Sequence, residues 1–499
     1  MKNYNENENF EVIKNFFDQL SEKISSCFGF EVNFPMESTK KRVIIGVEAT
    51  HSLGLAPDFY SPLTLNLFKN LREITNTYIN DYGYFSNLIN NIINDLALSL
   101  IFDDYKVLNH GYDKFENLIN ELKEIGARSY EGKSVDIGVI YCPNSAAKTQ
   151  VEQLKDADYI RLPITKTVKD FFNEEKPFLR LIDNMSVVIV IDNNFNVMGI
   201  LRKKDSKKSL NYLLEQEFNT YLKHNLHILA TNYFFKLMIL TLNETHEEHF
   251  QEDIEKLKNR IDELQKNNIE MLNKKAIRSP KFTYFSIQSN RMKIFTKNEF
   301  VLTYSNGDWK LKHYNFVRSL IADYLKTRAH DKLISSLVNN KPERIVRKLD
   351  SVIENTDKLV EKLLRLSQSN VSSIILIDSY EGKTLKDLQT NLILKNNADT
   401  VEPIYLNVIK NKNKNLNIKN IDYYLFESIA SVDGAVILDS QLNIVSFGEV
   451  INTNSKTYED TFGTGTTAAR YASQYSLALK ISEDGDIFIF EDEELKLKL

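Results

Sequence analysis

The chain is poor in the residues that staple and punctuate proteins: 2 Cys, 9 Pro, 16 Gly and 1 Trp in 499 residues. Cys27 and Cys142 cannot make a disulfide framework or a four-thiolate zinc site. So little Pro and Gly excludes linkers of the Pro/Gly-rich kind. Long apolar runs are also missing. Residues 96–102 (LALSLIF) run into Asp103 and Asp104, and 234–242 (FFKLMILTL) contain Lys236. Neither approaches the ~20 residues of a membrane span. The first ten residues, MKNYNENENF, have neither the basic nor the apolar region of a secretory leader. The expectation is a cytoplasmic protein without a membrane partner.

An excess of positive charge is absent too. Lys and Arg number 63 against 68 Asp and Glu, a net charge of −5. That excludes a chain-wide basic surface for nucleic acid. The basic runs Arg202-Lys203-Lys204 and Lys410, Lys412, Lys414 read as solvated loops, and nucleic acid is not an expected partner. At 42% hydrophobic and 26% charged, the composition is that of a globular protein. Its length points to several domains.

Periodicity places the elements. Phe10, Ile13, Phe16, Phe17, Leu20 and Ile24 have helical spacing within 1–37, and 64–126 is helical again. The runs at 42–49, 135–141, 185–192 and 372–378 are Val- and Ile-rich, bounded and short, as buried strands are. Alternation on both sides of Asn306-Gly307 predicts a hairpin with Trp309 packed in it. A helix is expected over 342–368. The fold class is therefore α/β (α+β). The expected domains are an α/β domain at 1–243, a helical connector at 244–278, a hairpin with a linking helix at 279–340, and a C-terminal domain at 341–499.

Within the connector, Phe250, Ile254, Leu257, Ile261, Leu264, Asn268 and Met271 step by four and three. Such a seam fits a coiled-coil dimer, with Asn268 setting register, or a helix packed on its own chain. There is also an internal echo. SYEGKS (129–134) returns as SYEGKT (379–384), and IVIDNNFNV (189–197) as VILDSQLNI (436–444). Tyr130 to Asp192 is 62 residues and Tyr380 to Asp439 is 59, a match that either a duplication or the common strand–Asp–turn–strand geometry would give.

The chemistry-bearing residues gather near the C-terminus. Asp433-Gly434-Ala435 opens a strand; Asp433 offers a carboxylate and Gly434 would let a ligand approach the backbone. Gly463-Thr464-Gly465-Thr466-Thr467 leads into a helix, an arrangement of amides and hydroxyls that suits an anion. Ser482-Glu483-Asp484-Gly485 turns between two strands and brings further carboxylates. Alone, the loop reads as an ordinary helix cap and the turn as an exposed one. Elsewhere, His246 and His249 lack a third ligand, His51 reads as structural, and Cys142 reads as a buried strand-end residue.

In this order, and with 30 residues from Asp433 to Gly463 and 19 from Gly463 to Ser482, these segments resemble the DAC domain of diadenylate cyclases. That family carries DGA, then GTRHRAA, then an SEE- or SQS-like turn. The layout also looks like predicted bacterial sensor proteins of the DACNV type, in which a sensor module precedes a divergent DAC domain. The resemblance covers roughly 340–499. It implies a mixed-sheet nucleotide-binding fold, with Asp433 and Glu483 toward a Mg or Mn ion that accompanies the nucleotide. It also implies phosphates held at 463–467 and domains that work face to face, hence a homodimer or higher oligomer.

The departure is at Gly465-Thr466-Thr467, where the family has Arg-His-Arg. Losing two charge-assisted hydrogen-bond donors costs roughly 3–6 kcal/mol where phosphate charge must be held. Arg470, one turn on, is a candidate to compensate in part or to cap or pack locally. The expectation is a nucleotide or cyclic-dinucleotide (cyclic di-AMP-like) binding signalling protein on a degenerate cyclase domain. Its alternatives are an active diadenylate cyclase with a variant loop, in which Asp433 is catalytic, and a coiled-coil scaffold.

Overall fold

The computed structural model describes residues 6–39, 42–45, 48–49, 62–102, 113–130, 132–163, 166–174, 177–204, 207–221, 278–288, 291–297, 301–312, 314, 316–325, 342–378, 404–411, 414–453 and 463–499, with single positions between 255 and 270. The chain divides into two compact units. The first draws on Met1–Ala49, Tyr60–Leu226 and Leu272–His313, and the second includes Tyr314–Leu499. Each is mixed α/β. Among the described residues no helix is long and apolar enough to cross a membrane.

The first unit opens with α1 (Glu6–Phe28), α2 (Pro62–Tyr82), α3 (Ile89–Ile101) and α4 (Asp113–Gly126). The apolar stripe of α1 does what its spacing demands: Phe16, Phe17, Leu20 and Ile24 are buried, while Phe10 at its start is exposed. Among the described residues, the strands of its large sheet are β1 (Asp136–Tyr141), β2 (Ala157–Arg161), β3 (Val187–Ile191), β4 (Val197–Lys203), β5 (Thr283–Gln288), β6 (Arg291–Phe295), β7 (Val301–Ser305) and β8 (Asp308–Lys312). They form one sheet in the order β8-β7-β6-β5-β1-β3-β4-β2. β1 and β3 pair in parallel, which requires a crossover, and every residue of β3 is buried.

The β7–β8 turn has Asn306 at φ 54° and Gly307 at φ 92°, the geometry of a type I′ turn. Trp309 is buried, and its Nε1 donates to Asn94 Oδ1 at 2.8 Å. The segment 279–340 is not a separate domain, however. β5 pairs with β1 along its whole length, so the hairpin continues the first unit's sheet. The strip of unpaired backbone along β1 is what it satisfies. The strand expected at 42–49 is two short pieces, Arg42–Ile45 and Glu48–Ala49. The heptad seam from Phe250 to Met271 lies outside the described residues, as do His246 and His249.

The second unit has a helix over 316–325, then α5 (Pro342–Gln368), β9 (Ser373–Asp378), α6 (Tyr423–Ala430), β10 (Ala435–Leu438), β11 (Ile444–Glu449), α7 (Thr464–Ala472), β12 (Ser476–Ile481), β13 (Ile487–Glu491) and β14 (Glu494–Lys498). The sheet order is β11-β10-β9-β12-β13-β14, with β9 and β10 parallel and every other neighbour antiparallel. Strand for strand, in chain order and direction, this repeats β4-β3-β1-β5-β6-β7 of the first sheet.

The echoed Asp residues sit at matching corners. Asp192 Oδ1 accepts from the amides of Asn194 and Asn196, both at 2.9 Å. Asp439 Oδ1 accepts from Gln441 at 2.9 Å and Asn443 at 2.8 Å. In both hairpins the fourth loop residue is apolar, buried and left-handed: Phe195 at φ 64° and Leu442 at φ 57°. That conformation is costly for an L-residue, and the Asp cap together with burial offsets it. The SYEGK echo has no such equivalence. Ser129–Ser134 precedes β1, whereas Ser379–Thr384 follows β9 and lies outside the described residues. Its matched spacing is not a matched position.

Between the 316–325 helix and α5, Arg318 and Asp357 form an ion pair with both side chains less than 10% exposed. Removing one partner strands a charge in the interior. Asp357→Ala is expected to lower unfolding stability by about 3–5 kcal/mol, and the double change Arg318→Met with Asp357→Leu to recover most of it. Urea midpoints of the three proteins check this.

Candidate functional site

The register brings three of the expected segments to one end of the second sheet. Ile374 of β9 lies opposite Ala435 of β10 on one side and opposite Lys480 of β12 on the other. Because β12 runs antiparallel to its neighbours, its C-terminal end meets the N-terminal ends of β9 and β10. Asp433 and Glu483 therefore leave the sheet at the same edge, and both are exposed. Residues directly opposite across strands share a face. Ile374, Ala435 and Lys480 thus lie on one face of the sheet, and α7 packs on that face through Ala469 and Ala472.

Helix α7 starts at Gly463, whose extended backbone caps it without a side-chain bond. The Thr466 and Thr467 amides both donate to the Gly463 carbonyl at 3.0 Å. The first-turn amides of Thr464 and Gly465 are the outward donors. Thr464 is exposed, Thr467 half-buried and Thr466 buried. The helix start therefore leaves two backbone N–H groups pointing outward beside the Thr464 hydroxyl.

Beneath it stands a residue the motif reading passed over. Lys480 is only 7% exposed. Its Nζ donates to Ser372 Oγ at 2.7 Å, at the entrance to β9. A Cβ on Gly465 would stand 3.2 Å from both Cε and Nζ of Lys480. Burial pushes the ammonium below the usual lysine range, and Glu483 offsets part of that. The signal was present in SLALKI: a single charge inside an otherwise apolar buried strand. Lys480 is on none of the expected motifs, yet it puts a cation under the Gly463–Thr467 loop.

Other expected residues take different roles. Gly434 has φ 106°, and a Cβ there would lie 2.7 Å from the Gly448 carbonyl carbon and 2.8 Å from the Glu449 oxygen. The neighbouring β11 backbone alone is enough to require a glycine there. Arg470 is six residues into α7 and its Nε donates to the Glu493 carbonyl at 2.7 Å. It ties the helix to the β13–β14 turn. Ser482 Oγ accepts from the Asp486 amide at 3.1 Å, so its side chain braces its own turn.

Among the described residues no three His, Cys, Asp or Glu side chains converge as a metal site. Asp433 and Glu483 fit only an ion that takes the rest of its shell from phosphate and water. Elsewhere, Arg202 and Lys204 both pair with Asp158, at 3.5 and 3.4 Å. Cys142 is buried with its thiol pushed up to about 12. Of the segment around His51, only Ala49 is described. No protein-family model matches the chain, and no curated protein matches it.

The two glycines separate structure from function. Gly434→Ala meets backbone in a left-handed conformation and is expected to cost at least about 2 kcal/mol. Gly465→Ala meets only the movable tip of Lys480 and gains helix propensity, so it should stay within about 1 kcal/mol of the parent. Denaturant melts of both variants decide.

Proposed function

We propose that the second unit binds a nucleotide or cyclic dinucleotide of the cyclic di-AMP type, and that the chain is a signalling receptor built on a degenerate diadenylate cyclase-like domain. One observation carries this reading: the buried Lys480 ammonium directly under Gly465, at the start of a helix with outward amides. A helix N-terminus and a lysine together favour phosphate. The hydroxyls of Thr464 and Thr467 add neutral donors. Asp433 and Glu483 would hold Mg or Mn carried in with the phosphates, and the ion would neutralise phosphate charge.

A single lysine replaces a family pattern of two arginines and a histidine. That supports binding more than turnover. Phosphoryl transfer needs charge stabilised in the transition state beyond what binding needs. The ammonium must be protonated to hold phosphate. Its ordinary pKa is lowered by burial, so affinity should decline with rising pH before the normal lysine range is reached.

Calorimetry with ATP and with cyclic di-AMP, plus Mg or Mn, tests the reading on the whole protein. Lys480→Met should weaken binding by about 10- to 150-fold, the loss of one charge-assisted hydrogen bond. Gly465→Asp should abolish it, because the new carboxylate would occupy the ammonium. Equal affinity in parent and both variants, with unchanged melting curves, would sink the proposal. Production of cyclic di-AMP from ATP, lost in Asp433→Asn, would instead establish the cyclase.

A further inference from the structure

One hydroxyl stands against Lys480 as a nucleophile stands beside its base. Ser372 is exposed at the entrance to β9, and Lys480 Nζ lies 2.7 Å from its Oγ. The charged amine donates in that bond; the neutral amine would take the serine proton. A hydroxyl within hydrogen-bond reach of a lysine that gives up its own proton is the arrangement of Ser–Lys acyl-transfer sites. Burial favours the neutral amine.

The surroundings suit the rest of the reaction. Of the charged groups that face this amine, Glu483 follows it in the chain and Asp433 leaves the sheet at the same edge. Lys498 lies on the same face, beyond Phe488 in the cross-strand row. The first turn of α7 is Thr464-Gly465-Thr466-Thr467 and brings no side-chain charge. Its outward amides, those of Thr464 and Gly465, are donors for the negative oxygen that forms on an attacked carbonyl. A Cβ on Gly465 would stand 3.2 Å from Nζ, so this turn is beside the pair. Among the described residues, a Cβ on Gly463 would meet nothing within 4 Å, which leaves the helix start open to a small molecule. Without a metal ion, the exposed Asp433 and Glu483 carboxylates favour an uncharged one.

We infer that Ser372 and Lys480 form a nucleophile–base pair that hydrolyses small uncharged esters. Ser372 Oγ bonds to the ester carbonyl carbon, and its proton passes to Lys480 Nζ. The bond to the leaving oxygen then breaks, and that oxygen takes the proton from Nζ. Water, deprotonated by the same amine, releases the acid and restores the serine hydroxyl. This reaction uses the neutral form of Lys480, whereas phosphate binding uses the charged form. Its substrate carries no phosphate, so it stands or falls separately from the nucleotide reading.

The whole protein in metal-free buffer is given p-nitrophenyl acetate and, separately, a fluorophosphonate, which phosphonylates an activated serine with loss of fluoride. Peptide mass spectrometry should place the phosphonyl group on Ser372. Ester turnover should rise with pH to a midpoint below the ordinary lysine range. It should fall at least about 10-fold in Ser372→Ala and in Lys480→Met, with melting curves recorded alongside. Ser372→Cys keeps a nucleophile and should still form the acyl-enzyme. Absence of label on Ser372 overturns the inference, whatever ATP binding shows. So does turnover in Ser372→Ala equal to that of the parent.

Discussion

The second unit is organised around one costly placement, a lysine ammonium on the covered face of a sheet. Taking such a charge out of water costs several kcal/mol unless it is well partnered. Lys480 has a serine hydroxyl and the influence of Glu483. Its neighbours are shaped to admit it. Gly465 has no side chain above it, Ala435 is small in the same cross-strand row, and Ser372 receives the Nζ at the sheet end. An anion arriving at α7 would complete the partnership. The loop and the strand therefore meet in space, although they are separated in the chain.

The first unit shows the same scaffold without that charge. Aligning Asp192 with Asp439 and following the register from β3 across β1 to β5 puts Ser286 where Lys480 stands. There Asn184 donates to Ser286 at 2.9 Å and accepts from the Tyr284 hydroxyl. Asn184 and Tyr284 are both buried. A neutral, bonded network fills the space, and a second side chain at Gly138 would collide with Asn184. One topology thus carries a closed polar plug in one sheet and a buried cation in the other. The fold sets where a site can lie, and the residues decide whether there is one.

Much of the architecture was legible because it rests on local pattern. The buried strands announced themselves as short Val/Ile runs, and Asn306-Gly307 required the turn it forms. The Asp-anchored hairpins could be matched by eye, since IVIDNNFNV and VILDSQLNI encode the same cap. Partnerships over long sequence separations were not legible. Nothing in 283–312 says that β5 lies on β1, about 145 residues earlier, because edge pairing is decided by which strand is left open. The site was half readable. Its loop and carboxylates follow from composition. The position of Lys480 beneath the loop appears only when the packing of α7 brings Gly465 over it. Gly434 was ambiguous for the opposite reason: a positive-φ glycine looks the same in sequence whether a ligand or a strand comes close.

The most direct measurement is a carbon-13 NMR titration of the Lys480 side chain in the whole protein, assigned by its loss in Lys480→Met and run with and without ATP. Without ligand the midpoint should fall below the ordinary lysine range, as desolvation requires. With ATP present it should rise by roughly one unit or more, because phosphate stabilises the charged form and one unit corresponds to about 1.4 kcal/mol. A midpoint that is the same with and without saturating ATP would contradict the account: the ammonium would then be a buried structural charge that no phosphate reaches.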